Sequence, residues 1–171
     1  MNPLVLTTAA VSLKKHYILI SGMLIFLIFM PIAAVFAIDS PSTLYNDPTG
    51  LYTGPGDPND HYDWGNCTYW AALLRIQMGD PIPNTWGNAN TWAKNAKADG
   101  YLVDKTPTYG SIMQTDAGDL GHVAFVENVD PITGKWTISE MNVLGLDMID
   151  TRTLNATDAK NFNFIHDMVD K

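Results

Sequence analysis

The chain has 171 residues, 46% hydrophobic and 16% charged, with 18 acids against 10 Lys and Arg and a single Cys. That length suits one ordinary domain. One Cys excludes an intramolecular disulfide framework, and a formal charge of −8 argues against nucleic-acid binding, which wants a basic face. The charge is uneven: residues 1–37 carry only Lys14 and Lys15, whereas 38–171 hold every acid and a net charge of −10.

Tyr17 to Ile38 is a run of 22 residues without a charge. A bilayer core of about 30 Å takes roughly 20 apolar residues as a helix, so residues 1–37 are expected to hold a membrane segment. Two readings stay open. The small residues Val35 and Ala37, followed by Asp39-Ser40-Pro41, match a signal-peptide cut after Ala37. The apolar run exceeds the about 7–15 residues of a cleaved signal, which favours a retained single-pass anchor. In both, the lysines stay inside and the acidic part is carried out of the cytoplasm. A lone thiol in an oxidising compartment is a liability, so its presence there hints at use.

Residues 38–60 are expected to form a flexible linker, because Pro41, Pro48, Gly50, Gly54, Pro55, Gly56 and Pro58 break regular structure. Asp57, Asn59, Asp60, His61 and Asp63 have the oxygen-rich look of a cation loop. They lack the Gly and terminal Glu of an EF-hand at their spacings, so a solvated polar loop is expected. The domain proper is expected over 61–168. Cys67 to Gly79 predicts a helix, with Tyr69, Trp70, Leu73, Leu74 and Ile76 at helical spacing. Asn88 to Asp99 predicts a second, with Ala89, Trp92, Ala93 and Ala96 on one face. Past Gly100 the period falls to two. Strands are predicted at Gly110–Thr115, His122–Val129, Trp136–Asn142 and, more weakly, Asp147–Leu154, with a hairpin turn at Asp130–Gly134. Helices followed by an antiparallel sheet make the fold class α+β.

Chemistry can be placed on that frame. Cys67 falls in the first turn of its helix, where free N–H groups and the positive dipole end lower a thiol's pKa and offer an oxyanion donor. A nucleophile needs a base. His122 opens a strand, and folding about the turn with Val129 opposite Lys135 sets it across from Asn142 and diagonal to Glu140; slipping by two sets it across from Glu140. Either register gathers His122, Glu140 and Asn142, while Glu127, the one other Glu, alternates to the opposite face. The competing reading is a His–Glu pair on an exposed sheet surface. A zinc site of Cys67, His122 and a carboxylate lacks a second close His or Cys, and no metal or cofactor is expected. Trp64, Trp86 and Trp92 either line a groove or fill the core, with Trp92 assigned to the core.

Trp64-Gly-Asn-Cys67-Thr, Trp86-Gly-Asn-Ala-Asn-Thr-Trp-Ala93, Gly121-His-Val-Ala-Phe-Val-Glu127 and Ser139-Glu-Met-Asn142 together resemble the CHAP domain. This is the cysteine, histidine-dependent amidohydrolase/peptidase of bacterial and phage cell-wall hydrolases, and the likeness is to its secreted staphylococcal type. The resemblance implies a papain-like fold of N-terminal helices on an antiparallel sheet, cleaving amide bonds of peptidoglycan as a muramoyl–alanine amidase or a cross-bridge endopeptidase. It implies Cys67 as nucleophile, His122 as base, Glu140 as orienting acid and Asn142 as the polar residue completing the site. Asn66 stands where the family often has Gln, one methylene longer, and is the candidate for positioning substrate or oxyanion. Tyr69-Trp70 reverses the more usual aromatic order. With no second wall-binding module evident, targeting falls to the membrane segment, the domain itself or a partner. The alternative expectation is a non-catalytic wall-binding or assembly module of a membrane-associated conjugation or secretion apparatus.

Overall fold

The computed structural model describes residues 49–169. The expected membrane segment and the first part of the expected linker lie outside the described residues, among which no helix is long and apolar enough to cross a membrane.

Two helices, α1 (Cys67–Gln77) and α2 (Ala89–Ala98), precede six strands: β1 (Tyr101–Asp104), β2 (Ile112–Thr115), β3 (His122–Val129), β4 (Trp136–Met141), β5 (Ile149–Leu154) and β6 (Asn163–Met168). The strands pair antiparallel in the order β1-β6-β2-β3-β4-β5, so the α+β, papain-like class holds. Gly79 at φ +83° and Gly100 at φ +87° follow the two helices, positions where a side chain would be strained.

Burial on both faces explains why β3 is apolar almost throughout. Val123 and Phe125 point to the helix layer, packing with Ala71, Trp92, Trp70 and Leu73. Ala124 and Val126 join Met113, Trp136, Ile138 and Phe164 on the other face, closed by the 3-10 helix Ala156–Asn161. At about 25 cal/mol per Å² of apolar surface removed from water, these two layers are the main source of stability.

The expected linker is corrected by this packing. Leu51 bridges Met148, and Tyr52 is 3% exposed among Tyr69, Trp70 and Ile149. The segment from Gly50 onward is therefore part of the domain, because an aromatic ring and a backbone bridge outweigh the local breakers. The β3–β4 register also departs from expectation. Near the turn Val129 pairs Trp136, not Lys135, and the pairing then skips Glu127 to give Val126–Ile138 and Phe125–Ser139. That skipped residue restores the far end of the hairpin: continuing the Phe125–Ser139 register aligns His122 with Asn142 and sets Glu140 on its diagonal. Glu127 is buried away from Glu140, accepting from Ser139 Oγ at 2.6 Å, and Trp70 Nε1 donates to the same hydroxyl at 2.9 Å.

Candidate active site

Cys67 is the first residue of α1, behind Asn66 in extended conformation at the N-cap. The His122 side chain and the backbone N–H groups of Val123 and Thr68 act on its sulfur, each favouring the thiolate. Burial pushes the thiol up, but the hydrogen bond and charge of His122 with the two N–H groups outweigh it, and Cys67 titrates below the ordinary thiol range.

His122, at the head of β3, has a side chain 20% exposed, and its Nε2 lies 2.7 Å from Glu140 Oε2. That contact leaves Nδ1 for the thiol. Burial pulls the imidazole down, whereas Cys67 and Glu140 raise it, and the net effect is a pKa of about 9. Glu140 on β4 is wholly buried, which disposes of the exposed-pair reading. Desolvation raises its carboxyl, yet the hydrogen bonds from His122 and Arg152 hold it below the usual range.

Arg152 is the member that sequence reasoning missed. Its Nε donates to Glu140 Oε1 and its Nη2 to Oε2 at 3.0 Å, a two-pronged grip of the kind a planar guanidinium makes. The signal was present in the weakly predicted strand: β5 pairs Glu140 with Asp150 and Ile138 with Arg152, so alternation turns Arg152 to Glu140's face.

Asn142 is drawn to a different partner. It sits just past β4 at φ +66°, a conformation Asn tolerates better than most residues, and its Nδ2 donates to Asn66 Oδ1 at 3.0 Å. It thus meets Asn66, not His122. Asn66 Nδ2 in turn donates to the Asp63 carbonyl at 3.3 Å. Beside the sulfur opens a cleft of about 350 Å³ lined by Asn66, Cys67, His61, Asn84, Asn88 and Gly121, among others. Trp86 and Trp92 are core, 1% and 0% exposed, while Trp64 is 45% exposed.

In the polar loop, Asp57 Oδ1 accepts from the Asn59 backbone and side chain, both at 2.8 Å, and Asp60 Oδ1 accepts from the Tyr62 N–H at 3.0 Å. Among the described residues no three His, Cys, Asp or Glu side chains converge as a metal-holding group. A thiol, an imidazole and a carboxylate in series are the parts that activate a sulfur nucleophile.

A family model for the CHAP domain matches residues 57–142. The probable autolysin LDP of Staphylococcus aureus (strain NCTC 8325 / PS 47) is 48% identical over 105 residues, covering 61% of this chain and 37% of that protein. N-acetylmuramoyl-L-alanine amidase sle1 of Staphylococcus haemolyticus (strain JCSC1435) is 43% identical over 126 residues, 73% of this chain and 36% of that protein. A crystal structure of N-acetylmuramoyl-L-alanine amidase from Staphylococcus aureus aligns with a TM-score of 0.60 at 32% identity, covering 67% of this chain and 34% of that one. The chain therefore spans little more than a third of its relatives' length, between 34% and 37% in these three. With half its length matched by the family model, and with those relatives, the chain belongs to the CHAP domain family.

Proposed function

We propose that the protein is a peptidoglycan hydrolase that cleaves an amide bond of the wall peptide through Cys67, His122 and Glu140. The observation that carries this is the unbroken series from the sulfur at the head of α1, through His122, to the buried Glu140 carboxylate. A lowered thiol beside a raised imidazole favours the thiolate–imidazolium pair, which is the reactive form.

In this mechanism the Cys67 thiolate attacks the amide carbonyl carbon and a C–S bond forms. The Cys67 N–H and Asn66 Nδ2 receive the developing oxyanion, with Asn142 holding Asn66 in place. His122 gives its proton to the leaving amine as the C–N bond breaks. Water then attacks the thioester, loses a proton to His122 and expels the thiolate. The bond is that between muramic acid and L-alanine, or one in the peptide cross-bridge. Two of the similar proteins are N-acetylmuramoyl-L-alanine amidases, which supports the first.

The uncharged run Tyr17–Ile38 supports an anchor or cleaved signal in residues 1–37 that delivers the acidic domain outside the membrane, against the wall. A gel cast with purified bacterial walls tests the activity: the wild-type chain clears it, Cys67→Ala does not, and mass spectrometry of the released fragments names the bond. Full clearing by Cys67→Ala, or wall binding by both proteins with no fragments from either, refutes the proposal.

A further inference from the structure

We propose that Arg152 is a positioning residue of the site, a clamp on β5 that fixes the Glu140 carboxylate in the orientation His122 requires. The inference extends the hydrolase reading by adding a fourth member to the series.

The geometry is specific. Glu140 is the only wholly buried member of the series, and both of its oxygens are occupied: Oε1 by Arg152 Nε, Oε2 shared between Arg152 Nη2 at 3.0 Å and His122 Nε2 at 2.7 Å. A carboxylate held only by His122 could rotate about its last torsion, which is broad and roughly two-fold. Two parallel bonds from a planar fork remove that freedom. Arg152 itself is 46% exposed, so its charge is solvated and it does not depend on Glu140 for burial. The groups facing Glu140 are His122 from β3 and Arg152 with the register partner Asp150 from β5; Cys67 of α1 acts on it through His122.

The consequence has a definite sign. With Glu140 misdirected, the imidazolium loses its acceptor and the thiolate loses its cation. The thiol must then ionise at higher pH and the imidazolium lose its proton at lower pH, so the active window narrows from both sides. Loss of Arg152's positive charge alone would do something different: it would raise both ionisations and move the whole window upward without narrowing.

The test uses the 171-residue chain and its single Cys, whose alkylation by iodoacetamide reads the thiolate directly. In Arg152→Gln, kcat on purified walls should fall about 10- to 100-fold, as for a sub-ångström to 1 Å misplacement of a reacting group, with KM little changed. The alkylation midpoint should move up, and the alkaline limb of kcat/KM should move down. Arg152→Lys keeps the charge without the fork and should recover only part of this. An unchanged profile in Arg152→Gln, a window displaced upward intact, or wild-type behaviour in Arg152→Lys each overturns the clamp. If the wild type digests no wall while in Arg152→Gln the alkylation midpoint rises and the His122 ring, followed by NMR, loses its proton at lower pH, the hydrolase reading fails and the clamp stands.

Discussion

Gly121, the residue before the proposed base, is where a single methyl group should do most harm. It has φ +72°, and a Cβ built on it would lie 2.4 Å from Asn90 N, 2.7 Å from Asn90 Cα and 2.8 Å from Asn90 Cβ. The first two are backbone atoms of the first turn of α2 and the third is fixed to them, and that turn is tied to the same loop by the Asn90 N–H donating to Leu120 O at 2.8 Å, so none of them can swing aside. Ordinary carbon contacts are about 3.5–4.0 Å, so Gly121→Ala must drive the head of β3 away from α2 by about 1 Å. The left-handed backbone adds roughly 1–2 kcal/mol and the overpacking about 1–3 kcal/mol, for a destabilisation of about 2–5 kcal/mol. The same displacement moves His122 relative to Cys67, and a misplacement of about 1 Å can cost on the order of 10² in rate. Gly118→Ala is the matched control: φ is +77° there, but nothing lies within 4 Å of the built Cβ, so only the backbone term applies. Thermal melts should rank wild type above Gly118→Ala above Gly121→Ala. Wall-lysis rates taken well below each Tm should fall about 100-fold in Gly121→Ala alone. Wild-type turnover in Gly121→Ala, or a melt equal to that of Gly118→Ala, would refute the idea that this contact sets the His122 position.

Other expectations follow from the same geometry. The kcat/KM profile should rise as Cys67 ionises below the ordinary thiol range and fall as His122 gives up its proton near pH 9. Glu140→Gln should lower turnover by about 10²–10⁴ and bring that alkaline limb down toward an ordinary imidazole's value, since a neutral amide stabilises the imidazolium less; an unmoved limb would make Glu140 merely structural. Asn66→Ala should cost about 10²–10³ in kcat as a lost oxyanion donor, and Asn142→Gly, which keeps the backbone conformation but drops the bond to Asn66, about 10-fold. Equal, negligible effects in steady-state kinetics would remove both from the mechanism. Arg75→Met tests stability instead: the side chain is 3% exposed and its donors serve Asp80 O, Gly110 O and Asp167. Stranding those acceptors should cost about 3 kcal/mol in urea melts, while lysis per folded molecule stays near wild type because Arg75 sits at the opposite end of α1 from Cys67.

Cys67, His122 and Glu140 were readable in the sequence because each is set by a local rule: a helix start, a strand start, and alternation across a hairpin whose turn is spelled Asp130 to Gly134. What local rules do not carry was missed. β1 and β6 are short, four and six residues, and β6 inserts between β1 and β2, a pairing across some sixty residues fixed by contacts such as His166 Nε2 to Asp104 Oδ1 at 2.9 Å. Tyr52 lies in a stretch dense in Gly and Pro, yet its ring stacks edge-on against Trp70 with centroids 5.1 Å apart, a tertiary gain that overrides the local preference for loop. Strand alternation carried through Asn142 sets it beside His122. The strand ends at Met141 instead, and the left-handed turn sends the side chain to Asn66.

The order of strands explains how so acidic a domain can sustain the proposed imidazolium beside a thiolate. The series runs Cys67 on α1, His122 on β3, Glu140 on β4 and Arg152 on β5, and those three strands are consecutive neighbours in the sheet. Charge therefore alternates, negative, positive, negative, positive, at each step from the cleft to the far surface. Each internal member has an opposite charge on both sides, which offsets the cost of burying it. The one member wholly out of water, Glu140, is the one with two cationic partners. The member at the outer end, Arg152, is half in solvent, where its charge costs little to keep. Were the series to stop at Glu140, the carboxylate would be shared between stabilising itself and stabilising His122. With Arg152 in place its charge is held in one orientation before the thiol ionises, so little reorganisation is left for the moment of reaction. The net charge of −10 across 38–171 is then largely irrelevant to the site: solvent screens the surface acids beyond about 8–10 Å, whereas the four members act on one another at hydrogen-bond range.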